Sequence, residues 1–212
     1  HGILYLDELP EFSRAALESL RQPLEDHTIS LNRLRTSSNY PADFLLAASM
    51  NPCPCGHFPD THLCHCSPTR IQQYFGKINS PLLDRIDLVL QLPAVPIHDT
   101  KQTSSYPFSE VRSRVQAAHA IQAKRFARSS HYNSRMSIEE IRQFCALRPN
   151  LEEFMHKAYD HYHLTLRSYH KILRVSRTLA DLDACEEIRQ EHLLEALQYR
   201  LSSQFDTSNA LF

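Results

Sequence analysis

The chain has 212 residues, 42% of them hydrophobic and 22% charged, with a formal net charge of −1, the balance of a soluble globular protein of one large or two small domains. It contains no apolar run near the ~20 residues that a bilayer crossing needs and opens with no signal peptide, so the expectation is a cytoplasmic protein with no membrane partner. Bulk charge does not advertise a polyanion partner, although arginines far outnumber lysines and lean towards forked contacts with phosphate.

In chain order, Ile3-Leu4-Tyr5-Leu6 is a short apolar run, as in a strand buried on both faces of a parallel sheet, and it ends in Asp7 and Glu8. Ser13 is an expected N-cap for an amphipathic helix carrying Ala16, Leu17, Leu20 and Leu24 on one face. Residues 28–35 alternate as a strand, Ser37, Ser38 and Asn39 read as a polar turn, and Phe44 to Ala48 as a second buried strand running to Asn51 and Pro52. A cysteine-rich segment follows, then a short helix from Pro68 to Tyr74 and a third strand, Asp87–Leu92. Residues 93–108 are polar and proline-containing, a linker. Helices are expected over Ser109–Arg128, Ser137–Leu147, Leu151–His163, Arg167–Ala184 and Arg189–Leu201, a small bundle, with a frayed tail over 202–212. The organisation is therefore an α/β core over 1–92, the linker, and an all-α helical region over 109–201.

Only three glycines occur, Gly2, Gly56 and Gly76. They stand apart, so no glycine-rich loop is present to bring backbone N–H groups onto phosphates. With His1 running directly into a strand, the sequence reads as a piece of a longer chain without that chain's N-terminal part, and, having no such loop, this piece is not expected to hydrolyse ATP alone.

An apolar strand ending in two carboxylates suits magnesium-dependent nucleotide hydrolysis. The first carboxylate holds the metal through water and the second polarises the attacking water. A solvated acidic turn after a core strand is the plain alternative. Of six cysteines, four lie in Cys53-x-Cys55 and Cys64-x-Cys66, two pairs with eight residues between them. Four thiolates can surround zinc tetrahedrally. The one-residue spacing within each pair is shorter than usual, His57, His62 or His65 could replace a thiolate, and free or redox-active thiols are the alternative. Cys145 and Cys185 read as helix-packing residues, and His156, His161, His163 and His170 as helix surface.

Asp7-Glu8-Leu9-Pro10-Glu11-Phe12, Ser49-Met50-Asn51-Pro52-Cys53-Pro54-Cys55-Gly56, Ser80-Pro81-Leu82-Leu83-Asp84-Arg85-Ile86-Asp87 and Ile172-Leu173-Arg174-Val175-Ser176-Arg177-Thr178-Leu179-Ala180-Asp181-Leu182 occur in order. Together they resemble the magnesium-chelatase-like AAA+ ATPases of the ComM/YifB group. The resemblance implies the later part of a AAA+ P-loop NTPase core followed by a helical lid. It makes Asp7 and Glu8 the Walker B pair, Asn51 sensor 1, Arg85 an arginine finger for the neighbouring subunit and Arg167 sensor 2, with ATP and Mg²⁺ as cofactors. It also implies that the hairpin before Phe44 grips DNA, with Arg33 and Arg35 tracking phosphates, in a homo-hexamer that drives branch migration during natural transformation and recombination. Locally, Asn51 could instead cap a turn, Arg85 could pair with Asp84 or Asp87, Arg167 could face solvent, and the hairpin could be merely a charged, solvated ribbon. Tyr5, where the group commonly has Phe, and Ser168, where it has Gly, depart from the pattern. Two rivals are a magnesium-chelatase I-type ATPase subunit and a non-enzymatic, zinc-stabilised DNA-binding relic of a truncated gene.

Overall fold

The computed structural model describes residues 2–33, 36–78, 80–92, 107–128 and 130–201. They fall into two compact units, one ending at Ile86 and one beginning at Asp87. Most of the expected linker (93–106), the tail from 202 and Arg35 lie outside the described residues.

In the first unit, β1 (Gly2–Leu6) pairs in parallel with β4 (Phe44–Ala48), Gly2 against Phe44 through Leu6 against Ala48. The expectation of strands buried on both faces is corrected. Ile3, Tyr5 and Leu45 are 73%, 60% and 63% exposed. Side chains alternate along a strand, so Ile3, Tyr5 and Leu45 share one face, while Leu6 on the other packs against Leu9, Leu17, Ile78 and Leu82. Only this second face is covered among the described residues.

The single amphipathic helix expected after Ser13 is two, α1 (Arg14–Ser19) and α2 (Arg21–Asp26). Ser13 does cap α1, its side chain accepting from the Ala16 N–H at 3.2 Å. The break has a cause in Pro23, which has no N–H to return to the Ser19 carbonyl. β2 (Thr28–Arg33) and β3 (Thr36–Pro41) form an antiparallel hairpin with Arg33 against Thr36. Ser37, Ser38 and Asn39, read as a turn, instead lie in β3 opposite Asn32, Leu31 and Ser30. Their polarity reports a solvated ribbon, on which polar residues pair as readily as they turn. α3 (Pro68–Gly76) is capped by Ser67, and α4 (Ser80–Leu83) precedes Arg85.

In the second unit, the expected strand over Asp87–Leu92 is absent. Leu88, Leu90 and Leu92 are 50–84% exposed, and no ladder partner lies beside them among the described residues. The segment is instead tied by Lys171 to Asp87 at 2.9 Å and by the Val89 N–H to the Tyr199 carbonyl at 3.1 Å. The expected helices form, as α5 (Phe108–Phe126), α6 (Ile138–Phe144), α7 (Pro149–His161), α8 (Leu166–Leu182) and α9 (Gln190–Leu201). A capping box between Ser137 and Glu140 starts α6, satisfying two end donors reciprocally.

α8 is the centre of this unit, burying Ile172, Leu173 and Ala180 in a core with Met155 and Leu193. It also buries charge. Asp181, 1% exposed, accepts from both Arg125 and Arg177, the latter at 3.1 Å, and from Asn133 Nδ2 at 2.8 Å. Arg177 further donates to the Glu186 and Cys185 carbonyls at 2.7 and 2.5 Å, and Arg125 to Asn133 Oδ1 at 2.8 Å. The hub joins α5, the turn at Asn133, α8 and the segment after it. Asp181→Ala leaves two guanidiniums buried without their carboxylate, so it should destabilise by about 3–5 kcal/mol. Chemical denaturation measures this, and a loss below about 1 kcal/mol would show that the hub does not hold the unit.

Candidate functional site

Because β1 and β4 run parallel and in register, they end together. The Ser49 N–H donates to the Leu6 carbonyl at 3.0 Å and the Leu9 N–H to the Ser49 carbonyl at 2.9 Å, which carries the chain past the sheet. Asp7 Oδ1 accepts from the Ser49 hydroxyl, from the Glu8 N–H at 3.0 Å and from the Tyr5 hydroxyl at 3.4 Å. The Ser49 bond, with lesser help from the Glu8 N–H, holds the exposed Asp7 carboxyl below the usual range against the opposing effect of desolvation, so Asp7 is ionised at neutral pH. Glu8 adopts a left-handed conformation, φ 51° and ψ 51°, which costs a non-glycine residue about 1–2 kcal/mol. Burial of Leu9 and Pro10 in the following 3-10 turn offsets it. The sharp turn leaves the Glu8 side chain exposed beside Asp7.

Asn51 follows Ser49 by two residues and is exposed, while its backbone N–H donates to the hydroxyl of Tyr74 on α3. Burial, first of all, raises the Tyr74 phenol above its ordinary value. The two carboxylates and the amide thus stand at adjacent strand ends. Sequence reasoning missed Ser49 and Tyr74. It also took Tyr5 for a mild replacement of Phe, although the Tyr5 hydroxyl reaches Ser49 Oγ at 3.1 Å as well as Asp7. A strand-end Tyr two residues before the first carboxylate was the available signal.

Arg85 pairs with neither Asp84 nor Asp87 in the described contacts. It reaches Glu25 on α2, and donates to the Arg21 carbonyl at 3.2 Å and the Pro81 carbonyl at 2.6 Å. Arg167 is an exposed residue in the first turn of α8, after the capping Thr165. Ser168 is buried, its hydroxyl accepting from Arg200 at 3.1 Å. Arg33 closes the register of β2, and its side chain lies outside the described residues together with Arg35.

The sulfurs of Cys53, Cys55, Cys64 and Cys66 all lie within 4.8 Å of one another. Cys53–Cys64 and Cys55–Cys64 are 3.7 and 3.6 Å apart and Cys53–Cys55 3.2 Å. Four sulfurs at the zinc–sulfur distance of about 2.3 Å would stand about 3.8 Å apart, so the set fits a tetrahedral ion, and none of the three neighbouring histidines belongs to it among the described residues. One-residue spacing suffices because Gly56, at φ 81°, turns the chain sharply and closes a bond from its N–H to the Cys53 carbonyl at 3.0 Å. The Phe58 N–H donates to Cys53 Sγ at 3.4 Å. The His57 N–H, aided by Cys53, brings the Cys55 thiol down to about 6. The Cys66 N–H pulls Cys64 the same way, but burial and the Cys55 and Cys53 sulfurs outweigh it and push Cys64 up to about 12. Backbone N–H groups aimed at sulfur are the outer contacts that a thiolate metal site uses. Asp60 organises the far side, Oδ1 accepting from the His62 and Leu63 N–H groups at 2.8 and 3.2 Å. Cys145, by contrast, is buried in the helical core, and desolvation pushes its thiol up to about 11.

Residues 1–100 match the family model described as magnesium chelatase, subunit ChlI, and residues 106–200 match the C-terminal model of the same subunit. Competence protein ComM of Haemophilus influenzae is 40% identical over 202 residues, covering 94% of this chain and 39% of the relative. The YifB proteins of Salmonella typhimurium and Escherichia coli are each 38% identical over 94% of this chain and 39% of their own length. The chain therefore spans about two fifths of the length of these relatives. With both family models matched in order and relatives of this similarity along nearly its whole length, the chain belongs to the magnesium-chelatase-like AAA+ family, in the group that includes YifB and ComM.

Proposed function

We propose that this chain supplies the Walker B pair, sensor 1, arginine finger and sensor 2 of an ATP-driven, hexameric DNA translocase that works in the cytoplasm. The observation that carries the reading is the meeting of Asp7, Glu8 and Asn51 at the ends of β1 and β4, with Asp7 fixed by Ser49. In this reading Asp7 holds the magnesium ion of the nucleotide through water, and Glu8 takes the proton of the water directed at the γ-phosphate. Asn51 orients that water, and Arg167 reaches the nucleotide from the start of α8. Arg85 serves the site of the adjacent subunit, which requires a ring. The name of the Haemophilus relative, a competence protein, favours branch migration of incoming strands in natural transformation and recombination. The β2–β3 hairpin, with Arg33 and Arg35, is the proposed contact to DNA.

The matching family models carry the name of the chelatase subunit, which favours a second reading as an ATPase that remodels a porphyrin-metallating partner. DNA separates the two, because only the translocase should bind it and respond to it in turnover.

In the full-length protein, Glu8→Gln keeps the shape of the side chain but removes the base. It should bind ATP and assemble while turnover falls by roughly 10²-fold or more. Near-wild-type phosphate release would remove Glu8 from the chemistry. Replacing Arg33 and Arg35 together by Ala should weaken DNA binding and flatten its dependence on salt, since about two fewer counterions are released. ATP turnover without DNA should persist, and an unchanged salt slope would place the DNA contact elsewhere.

The four cysteines would hold one structural zinc with no open position for water. Elemental analysis of protein purified without added metal should find about one zinc per chain. Cys64→Ser should lose it and lower the melting temperature, whereas Cys145→Ser should keep it. Wild-type protein without metal, with four readily titrated thiols in the folded state, would defeat the assignment.

A further inference from the structure

Arg85 does not hang from the surface. It follows α4 on a turn closed by bonds from its own N–H to the Leu82 carbonyl at 2.9 Å and from the Ile86 N–H to the Leu83 carbonyl at 3.1 Å. Leu82 itself is fully buried in the core of the first unit. The base of the side chain is therefore rigid, and the side chain is only 12% exposed. Three nitrogens are engaged: Nε with the Arg21 carbonyl, Nη1 with the Pro81 carbonyl and Nη2 with the Glu25 carboxylate. A guanidinium carries five N–H donors in a fixed plane. These contacts use one on each nitrogen, so one N–H on each Nη is left over from them as a donor for a phosphate oxygen. Glu25 is 41% exposed, so the charged end of the arrangement opens to solvent.

We infer that Glu25 is a positioning residue for Arg85, orienting the plane of its guanidinium so that the remaining Nη–H donors are presented to the phosphate of the adjacent subunit. The inference rests on the reading of Arg85 as the finger and adds to it the group that aims it. Carbonyl acceptors alone leave the plane free to tilt, because each takes a single N–H. The carboxylate adds a charge-assisted bond at a third nitrogen and fixes the plane. α2 supplies both the Glu25 carboxylate and the Arg21 carbonyl, so one short helix sets the orientation. Misplacing a catalytic group by about 1 Å can lower turnover by roughly 10²-fold.

The test uses the full-length protein. Glu25→Ala should lower kcat by roughly ten- to a hundredfold and leave the KM for ATP near its wild-type value, because the nucleotide pocket of its own subunit is intact. Glu25→Gln, which retains an acceptor oxygen at the same reach, should recover much of that loss. The decisive arm is mixing. Glu25→Ala subunits co-assembled with Glu8→Gln subunits should turn over faster than either alone, because the latter lend a well-aimed Arg85 to intact Glu8 sites. A purely local salt bridge would not act across the interface. Unchanged or raised turnover in Glu25→Ala overturns the inference. So does a loss without recovery on mixing when Arg85→Ala subunits do recover, which leaves the finger reading standing. If Arg85→Ala subunits also fail to recover in confirmed mixed assemblies, the finger reading falls and the inference falls with it.

Discussion

The parallel register of β1 on β4 is the constraint on which the candidate catalytic end depends. With Gly2 opposite Phe44, each later pair is fixed, and Leu6 and Ala48 finish side by side. Asp7 and Ser49 then face each other as the first residues beyond the sheet, close enough for the hydroxyl to hold the carboxylate. A slip of one residue would invert every side chain, turning Leu4 and Leu6 outward and separating Asp7 from Ser49. The backbone bonds linking Leu6, Ser49 and Leu9 extend the register beyond the strands, and the left-handed turn at Glu8 is tolerated because the packing of Leu9 and Pro10 requires it.

Three pieces of the first unit are fastened to this end by different physics. Leu9, Leu17, Ile78 and Leu82 form a small apolar core that joins the turn after Glu8 to α1 and α4. Tyr74 adds a polar tie from α3 to the backbone of Asn51. Between Asn51 and α3 runs a loop too polar to pack on its own, and there the sulfur cluster replaces a core: Cys53 is fully buried and the other three sulfurs gather around it. A small segment with little apolar surface is held by metal or covalent links more readily than by burial.

The second unit solves a different problem. α8 buries residues on several sides, including the charged Lys171, Arg177 and Asp181, and its stability depends on satisfying them. Asp181 meets two arginines and an asparagine from separate elements. One carboxylate thereby sets the mutual placement of α5, the Asn133 turn and α8. The first turn of α8, which carries Arg167, inherits its position from that hub and from the Ser168–Arg200 bond. Ser168 is thus a structural member of the unit.

Much of this was legible in the sequence. Helices α5 to α9 follow from apolar spacing and end signals such as Ser137 and Glu140, because helical periodicity and capping are local. The grouping of Cys53, Cys55, Cys64 and Cys66 was legible for the same reason, all four lying within one short loop. Strand fates were not local. Asp87–Leu92 has the composition of a strand but meets helices, and β1 has the composition of a doubly covered strand but is covered on one side among the described residues, because a ladder and a cover come from partners that periodicity does not name. Ser37 to Asn39 read as a turn because polar residues serve a turn and a solvated strand alike. The partner of Arg85 was hidden for a related reason: adjacent Asp84 and Asp87 were the near choices in sequence, yet the turn after α4 carries the guanidinium to Glu25, 60 residues away. Sequence determined which residues could carry charge, metal or a helix. Only the tertiary structure decided which of them meet, since an ion pair or a strand ladder is set by where the packed backbone brings its two halves.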